Sequence, residues 1–153
     1  MKIVLAIDGS GFSKAAVKAL AKMPMPSDSE ISIINVYEDP AMATPGLIAT
    51  GGSLNTYFQE IIDNAQKIGE KIVSEAVKVL KEKNSSLQLT TDLIIGIPKQ
   101  EILEKAESFD ADLIVVGSQG NGALSRILLG SVSQYLATHA KCSVMIVKDK
   151  ATK

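Results

Sequence analysis

Short apolar runs alternate along the chain with segments in which apolar residues recur every three or four positions. The first pattern is typical of buried strands and the second of amphipathic helices, so their alternation predicts a parallel sheet covered by helices. The four consecutive apolar residues at 113–116 predict a central strand that is buried on both faces. The predicted strands comprise residues 3–7, 30–36, 87–95, 113–116 and 143–147.

Helical patterns occupy most of the sequence between these strands. The first predicted helix is capped by Ser10 or Ser13 and ends before Pro24, and its buried stripe consists of Ala16, Val17, Ala19 and Leu20. The longest spans residues 56–83, and one apolar face is predicted to hold Ile61, Ala65, Ile68, Ile72, Ala76, Val79 and Leu80. Further helices are predicted after Pro98 and over residues 131–139.

A long connection rich in proline and glycine, residues 37–55, separates the second strand from the longest helix. Connections of this length are unusual inside a compact domain and often belong to a binding loop or lid. A mobile surface excursion explains the composition equally well. The role of the connection is therefore left open.

Composition limits the class of protein. A length of 153 residues with 46% apolar residues suits one domain, expected over 1–148 with a polar tail at 149–153. The single cysteine excludes an internal disulfide and suits a reducing, cytoplasmic compartment. A net charge of −1 without a basic block argues against nucleic acid as a partner. The apolar run that ends at Asp8 is too short for a membrane span.

The candidate chemistry lies in a glycine-rich segment that begins at Gly117, after the fourth strand, and reaches Ser131 at the start of the last helix. Glycine allows a backbone to approach a ligand closely and to adopt positive φ. A helix start offers unpaired N–H groups and the positive end of the helix dipole, which together suit a phosphate. The hydroxyl of Ser131 adds a further donor.

Two familiar phosphate-binding motifs do not fit this segment. A Walker loop requires Gly-Lys-Ser/Thr, but Ala123 follows Gly122. The dinucleotide fingerprint would need glycine at the position of Ser125. Both motifs also normally follow the first strand, whereas this segment follows the fourth.

The segment does match Gly-x-x-Gly, nine residues, then Gly-Ser, at Gly117, Gly120, Gly130 and Ser131. In this pattern the chain resembles the ATP-binding branch of the universal stress protein family. The surrounding stretches 112–120 and 124–132, the opening residues 4–10 and the closing residues 140–147 resemble the family as well. The likeness extends over essentially the whole chain, with 37–55 the least similar part.

The resemblance implies an α/β fold: a doubly wound five-stranded parallel sheet in the order 3-2-1-4-5, with the nucleotide at the carboxyl ends of the strands. It places Asp8 near the base or sugar and packs Val36 against the adenine. Gly117 and Gly120 would pass close to the ribose and phosphates. The donors to the phosphates would be Gly130, Ser131 and Val132. Independently, Asp8 and Gly117 flank the position where such a sheet reverses its winding and collects ligands.

The resemblance also implies a stress-response regulator that binds ATP, or ADP or AMP, with magnesium able to accompany the phosphates. It suggests a homodimer through the last strand. Two alternatives stay open, a slow nucleotide hydrolase or phosphotransferase and a nucleotide-free dimeric scaffold. Three single residues are also left open. Asp8 could contact the nucleotide or merely cap the first helix, and Arg126 could contact a phosphate or lie on the surface. The role of Gln119 is not assigned. No catalytic residue and no metal ligand is predicted, because His139 stands alone and no cluster has metal-site spacing.

Overall fold

The computed structural model describes residues 1–38, 53–121 and 129–149. Its strands are β1 Lys2–Ala6, β2 Glu30–Tyr37, β3 Gln88–Ile95, β4 Leu113–Gly117 and β5 Ser143–Val147. Its helices are α1 Gly11–Lys22, α2 Ser53–Lys83, α3 Pro98–Ser108 and α4 Ser131–His139. Strand and helix alternate along the described chain as the apolar periodicity predicts.

The five strands form one parallel sheet in the order β3-β2-β1-β4-β5, which confirms the predicted order. β1 is central, with Ile3 opposite Ile31 of β2 on one side and opposite Leu113 of β4 on the other. The winding therefore reverses at β1, and the carboxyl ends of β1 and β4 flank the crevice that such a reversal creates.

Alternate residues of the central strands face two separate apolar layers. Ile3, Leu5 and Val115 belong to the layer beneath α1 and α2. Val4 and Ile114 belong to the opposite layer, beneath α3 and α4. Both layers are completely buried at these positions, so the prediction that β4 is covered on both faces is confirmed.

The predicted apolar face of α2 is only partly buried. Ala76 and Leu80 are buried, but Ile61 is 37% exposed and Ile68 is 53% exposed. A helix of 31 residues is about 46 Å long, whereas a strand of eight residues spans about 26 Å. Because Gly69 already lies beside Asn35 near the end of β2, the preceding turns extend past the end of the described sheet.

Several element boundaries also differ from the predicted ones. β2 continues to Tyr37, and Gly117 is the last residue of β4 rather than the first residue of a loop. Ala19, predicted to be buried with the α1 stripe, is only half-buried. Most of the predicted 37–55 connection and of the 149–153 tail lies outside the described residues. None of the helices in the described ranges combines the length and apolar character that a bilayer crossing requires.

Candidate functional site

The connection from β1 to α1 is short and is stabilised by hydrogen bonds between residues close in sequence. The Ser10 N–H donates to Asp8 Oδ1 over 3.0 Å, and the Ser13 N–H donates to Ser10 Oγ over 3.1 Å. Ser10 is therefore the N-cap of α1, which settles the choice between Ser10 and Ser13. Gly9 makes the turn with φ of 80°, a conformation that glycine adopts at little cost.

One backbone carbonyl group in the connection from β4 to α4 accepts two hydrogen bonds. The oxygen of Ser118 accepts the Gly130 N–H over 2.8 Å and the Ser133 hydroxyl over 2.9 Å. These bonds draw the backbone after β4 against the start of α4. Gly130 is the N-cap of α4 and supplies no side-chain cap.

The start of α4 is consequently open to a ligand from the cavity. Its first intrahelical bond runs from the Gln134 N–H to the Gly130 oxygen over 2.9 Å. The preceding N–H groups, those of Ser131, Val132 and Ser133, have no acceptor within the helix. Together with the helix dipole they form a positive surface that attracts anions.

Asp8 joins the two connections. Its Oδ2 accepts the Asn121 N–H over 3.1 Å, and the Asn121 side chain donates from Nδ2 to the Asp8 carbonyl oxygen over 2.8 Å. We call this pair of bonds the Asp8–Asn121 clasp. The carboxylate thus holds the backbone that follows β4 beside the end of β1.

The glycines of the predicted motif lie in crowded positions within the protein. A Cβ on Gly117 would lie 2.8 Å from the Phe12 carbonyl carbon, and one on Gly120 would lie 2.8 Å from Asp8 Oδ2. A Cβ on Gly130 would lie 3.2 Å from Gln119 Cα. The expected positive φ is not found at these positions, since Gly9 is the glycine with positive φ in the described ranges. Close packing, against backbone at Gly117 and Gly130 and against the Asp8 carboxylate at Gly120, rather than an unusual φ, characterises these glycines.

A cavity of about 300 Å³ opens at this edge of the sheet, beside the carboxyl ends of β1 and β4. Its volume lies at the lower end of the range for small-molecule pockets. The structure brings all of the predicted site residues to its wall, namely Asp8, Val36, Gly117, Gly120, Gly130, Ser131 and Val132.

Sequence reasoning missed a second group of residues that line the same cavity, and left one of them, Gln119, without a role. The group comprises Ser13, Ile34, Pro98, Ile102, Gln119 and Ser133. Ile34 and Ile102 belong to apolar patterns that indicate burial but not which buried residue faces a cavity. Pro98 gives a usable signal, because it marks a helix start at the same edge of the parallel sheet.

Asp8 is the one ionisable residue among the described residues that line the cavity. The start of α3 also faces it, because Pro98 lines the wall and the N-cap Ile97 makes no side-chain cap bond. In the described ranges no three His, Cys, Asp or Glu side chains come together as a metal cluster would. The positions of Arg126 and Gly122 lie outside the described residues.

The two residues with the most reactive side chains lie away from the cavity wall. His139 is exposed and stacks on Tyr135 with 4.1 Å between ring centroids. Cys142 is half-buried, and desolvation raises the pKa of its thiol. A raised pKa keeps the thiol protonated near neutrality and so less nucleophilic.

The sheet order and the cavity at its switch point define a doubly wound α/β domain of the kind that holds small ligands at the strand ends. The profile of the universal stress protein family matches residues 1–148, and the chain belongs to that family. Universal stress protein YxiE of Bacillus subtilis is 33% identical over 147 residues, covering 96% of this chain and 98% of the relative.

Solved structures share the fold. The protein MJ0577 superposes with a TM-score of 0.81 at 23% identity, over 97% of this chain and 96% of that one. A universal stress protein in complex with cAMP gives a TM-score of 0.67 at 23% identity, over 98% of each chain. An Arabidopsis thaliana family protein with AMP bound gives 0.67 at 19% identity, over 99% of this chain and 93% of that one. At these identities the likeness shows the fold alone.

Proposed function

We propose that this protein binds an adenine nucleotide, with ATP preferred, in the 300 Å³ cavity and acts as a nucleotide-dependent regulator of the stress response. One observation carries the proposal. The open start of α4 and the end of β1 face the same cavity, so an anionic group and an apolar base could both be accommodated. Family members of the same fold that were solved with cAMP and AMP support an adenine ligand.

The cavity wall suggests an orientation for the nucleotide. Val36 and Ile34 form an apolar surface suited to the flat face of adenine. Asp8, at the end of β1, can accept a hydrogen bond from the sugar or base. At the opposite side the N–H groups of Ser131 and Val132 and the Ser131 hydroxyl can donate to phosphate oxygens. These phosphate contacts come from backbone amides and a hydroxyl rather than from the lysine of a Walker loop.

The same wall favours binding over rapid chemistry. Phosphoryl transfer needs an oriented nucleophile and positive charge at the transition state. Asp8 is the one ionisable residue among the described wall residues, and each of its carboxylate oxygens already accepts a backbone N–H. We therefore expect hydrolysis to be slow or absent. Magnesium would arrive with the phosphates and keep most of its water ligands.

Assembly and location form a further part of the proposal. β5 pairs with β4 along one side and lies at the end of the sheet order. Its other side offers backbone N–H and C=O groups to a second strand, and the half-buried Val144 and Ile146 could pack in the same contact. We propose a cytoplasmic homodimer joined through β5. Light scattering that gives the mass of a single chain would contradict the dimer.

The nucleotide proposal is tested by denaturing the purified protein and identifying any released nucleotide. Calorimetric titration of nucleotide-free protein with ATP, ADP, AMP and GTP then gives the preference. We expect saturable binding of adenine nucleotides with one site per chain. A flat titration with every adenine nucleotide would favour the scaffold alternative instead. Turnover on the order of 1–100 per second would show an enzyme.

A further inference from the structure

The cavity opens between the starts of α3 and α4. Pro98 lines it from α3, and Ser131 lines it from α4. Lys99 follows Pro98 directly, and its Nζ lies 5.3 Å from the centroid of the Tyr135 ring on α4. A lysine that directly follows a wall residue of α3 is thus held against α4 by a cation–π contact.

The position of the Tyr135 ring places this ammonium close to the first turn of α4. Helical side chains lean toward the N-terminus of their helix, so a residue covers the turn before its own Cα. The turn before Tyr135 contains Ser131 and Val132, which line the cavity. The imidazole of His139 stacks on the ring with centroids 4.1 Å apart and supports it from the following turn.

Lys99 has no carboxylate partner in the described part of the chain. The ion pairs there join Lys105 to Asp92 and Lys141 to Glu107. The carboxylate of Glu101, on the same helix, turns toward Gly96, where an added Cβ would collide with it. The Lys99 ammonium therefore lies beside Tyr135 and forms no ion pair with an acid of the described residues.

A cationic side chain beside the described cavity wall would balance part of the charge of a polyphosphate ligand. Among the described residues that form the wall, the ionisable side chain is the Asp8 carboxylate. A nucleoside triphosphate brings several more negative charges, and the dipole of a short helix is equivalent to only about half an elementary charge. We propose that Lys99 binds the outer phosphates of a nucleoside di- or triphosphate, a refinement that rests on the proposed nucleotide-binding function. Lys99 then makes the site favour polyphosphates over adenosine and AMP.

The test compares wild-type protein with Lys99→Met, Lys99→Arg and the control Lys78→Met, which removes an exposed lysine from α2. Each protein is titrated with ATP, AMP and adenosine at two salt concentrations, and its thermal unfolding is recorded. We expect Lys99→Met to weaken ATP about 5- to 10-fold, a size typical of a partly screened charged hydrogen bond. Adenosine affinity should not change, and Lys99→Arg and Lys78→Met should bind ATP as wild type does.

Salt adds an independent criterion. The ATP affinity of wild-type protein should fall with ionic strength more steeply than that of Lys99→Met. If Lys99→Met lost affinity for ATP and adenosine equally, the lysine would only support the fold. If its ATP affinity were unchanged, Lys99 would not contact the phosphates. Either result would overturn this inference and leave the proposed function untouched. Wild-type protein that binds no adenine nucleotide would overturn the proposed function together with it.

Discussion

Two connections lead from a central strand into a helix at the same edge of the sheet, and they end differently. From β1 the chain reaches α1 through Ser10, whose hydroxyl oxygen accepts the Ser13 N–H. From β4 it reaches α4 through Gly130, which has no side chain to cap the helix. A side chain occupies one N–H group at the start of α1, whereas no cap side chain occupies those at the start of α4.

This difference shows how helices of the same fold can differ in whether their N-termini are available to an anionic ligand. Every helix that follows a parallel strand points its N-terminus at the carboxyl edge of the sheet, so the geometry alone offers several anion sites. A capping side chain removes one of them from use, because it occupies the N–H groups that a phosphate would need. Glycine as the N-cap leaves them accessible. The N-cap residue therefore helps to decide which helix start is available to a ligand.

The largest effect is expected where the two connections touch. Gly117→Ala would set a Cβ 2.8 Å from the Phe12 carbonyl carbon, and that contact with backbone of α1 cannot be relieved by rotating a side chain. We expect a loss of about 2–3 kcal/mol in the free energy of unfolding, as for an overpacked core site. Urea denaturation measures it.

Gly11→Ala provides the matched control for Gly117→Ala. The added Cβ would meet Asp149 Oδ2 at 3.1 Å, an atom at the end of a side chain that can move. We expect the control to change the free energy of unfolding by less than about 0.5 kcal/mol. If the two variants were equally stable, the close approach of β4 to α1 would not constrain the residue at 117.

The next largest effect is expected when the N-cap of α4 is changed to the residue type that caps α1. Gly130→Ser gives α4 a cap like that of α1, and Gly130→Ala adds the same Cβ without the hydroxyl. Both place that Cβ about 3.2 Å from Gln119 Cα. The difference between their free energies of unfolding therefore measures the contribution of the serine hydroxyl. Gly130→Ser should be more stable to urea than Gly130→Ala by about 1 kcal/mol.

The nucleotide affinities of these two variants should change in the opposite direction. A serine cap competes with phosphate for the N–H groups of α4, so calorimetry should show ATP binding about 5-fold weaker in Gly130→Ser than in Gly130→Ala. Equal affinities would mean that the phosphates do not bind at the start of α4. That result would contradict the proposed orientation while leaving nucleotide binding elsewhere in the cavity possible.

The fold was accessible from sequence because parallel strands and amphipathic helices leave local periodic patterns. Those patterns located every strand within about two residues, the usual uncertainty of element ends. They did not show how much of α2 is covered, because Ile61 and Ile68 continue the apolar period into turns that are exposed among the described residues. Periodicity shows which residues share a helix face, but the length of the neighbouring strands decides whether that face is covered.

Only part of the candidate site could be predicted from the sequence, because local patterns do not record contacts between distant segments. The glycines and Ser131 stand close together in sequence and form a recognisable spacing. Ile102 and Ser133 line the same cavity because distant segments pack there, and no local pattern records that packing. Gly117 and Gly130 line the cavity, but crowding against neighbouring backbone, rather than positive φ, explains why glycine stands there, and such crowding is not visible in a sequence.

The cap of α1 should matter for stability and little for binding. Ser10→Ala removes the oxygen that accepts the Ser13 N–H and should cost about 1 kcal/mol of unfolding free energy, whereas Ser10→Gly should cost only a few tenths. ATP affinity should stay within about two-fold, since effects on distinct networks are nearly additive. A much larger loss of affinity would show that α1 contributes to the nucleotide contact.

The smallest effect tests the Asp8–Asn121 clasp between the connections. Asn121→Ala removes the 2.8 Å bond from Nδ2 to the Asp8 carbonyl oxygen and keeps the backbone N–H that donates to Oδ2. Because this bond is exposed, we expect a loss of about 0.5 kcal/mol in urea unfolding. A clasp that pre-forms the cavity should lower ATP affinity about two-fold when it is loosened. Tighter binding would mean instead that the clasp competes with the ligand for Asp8, and the contact between Asp8 and the nucleotide would then require the loop after β4 to open.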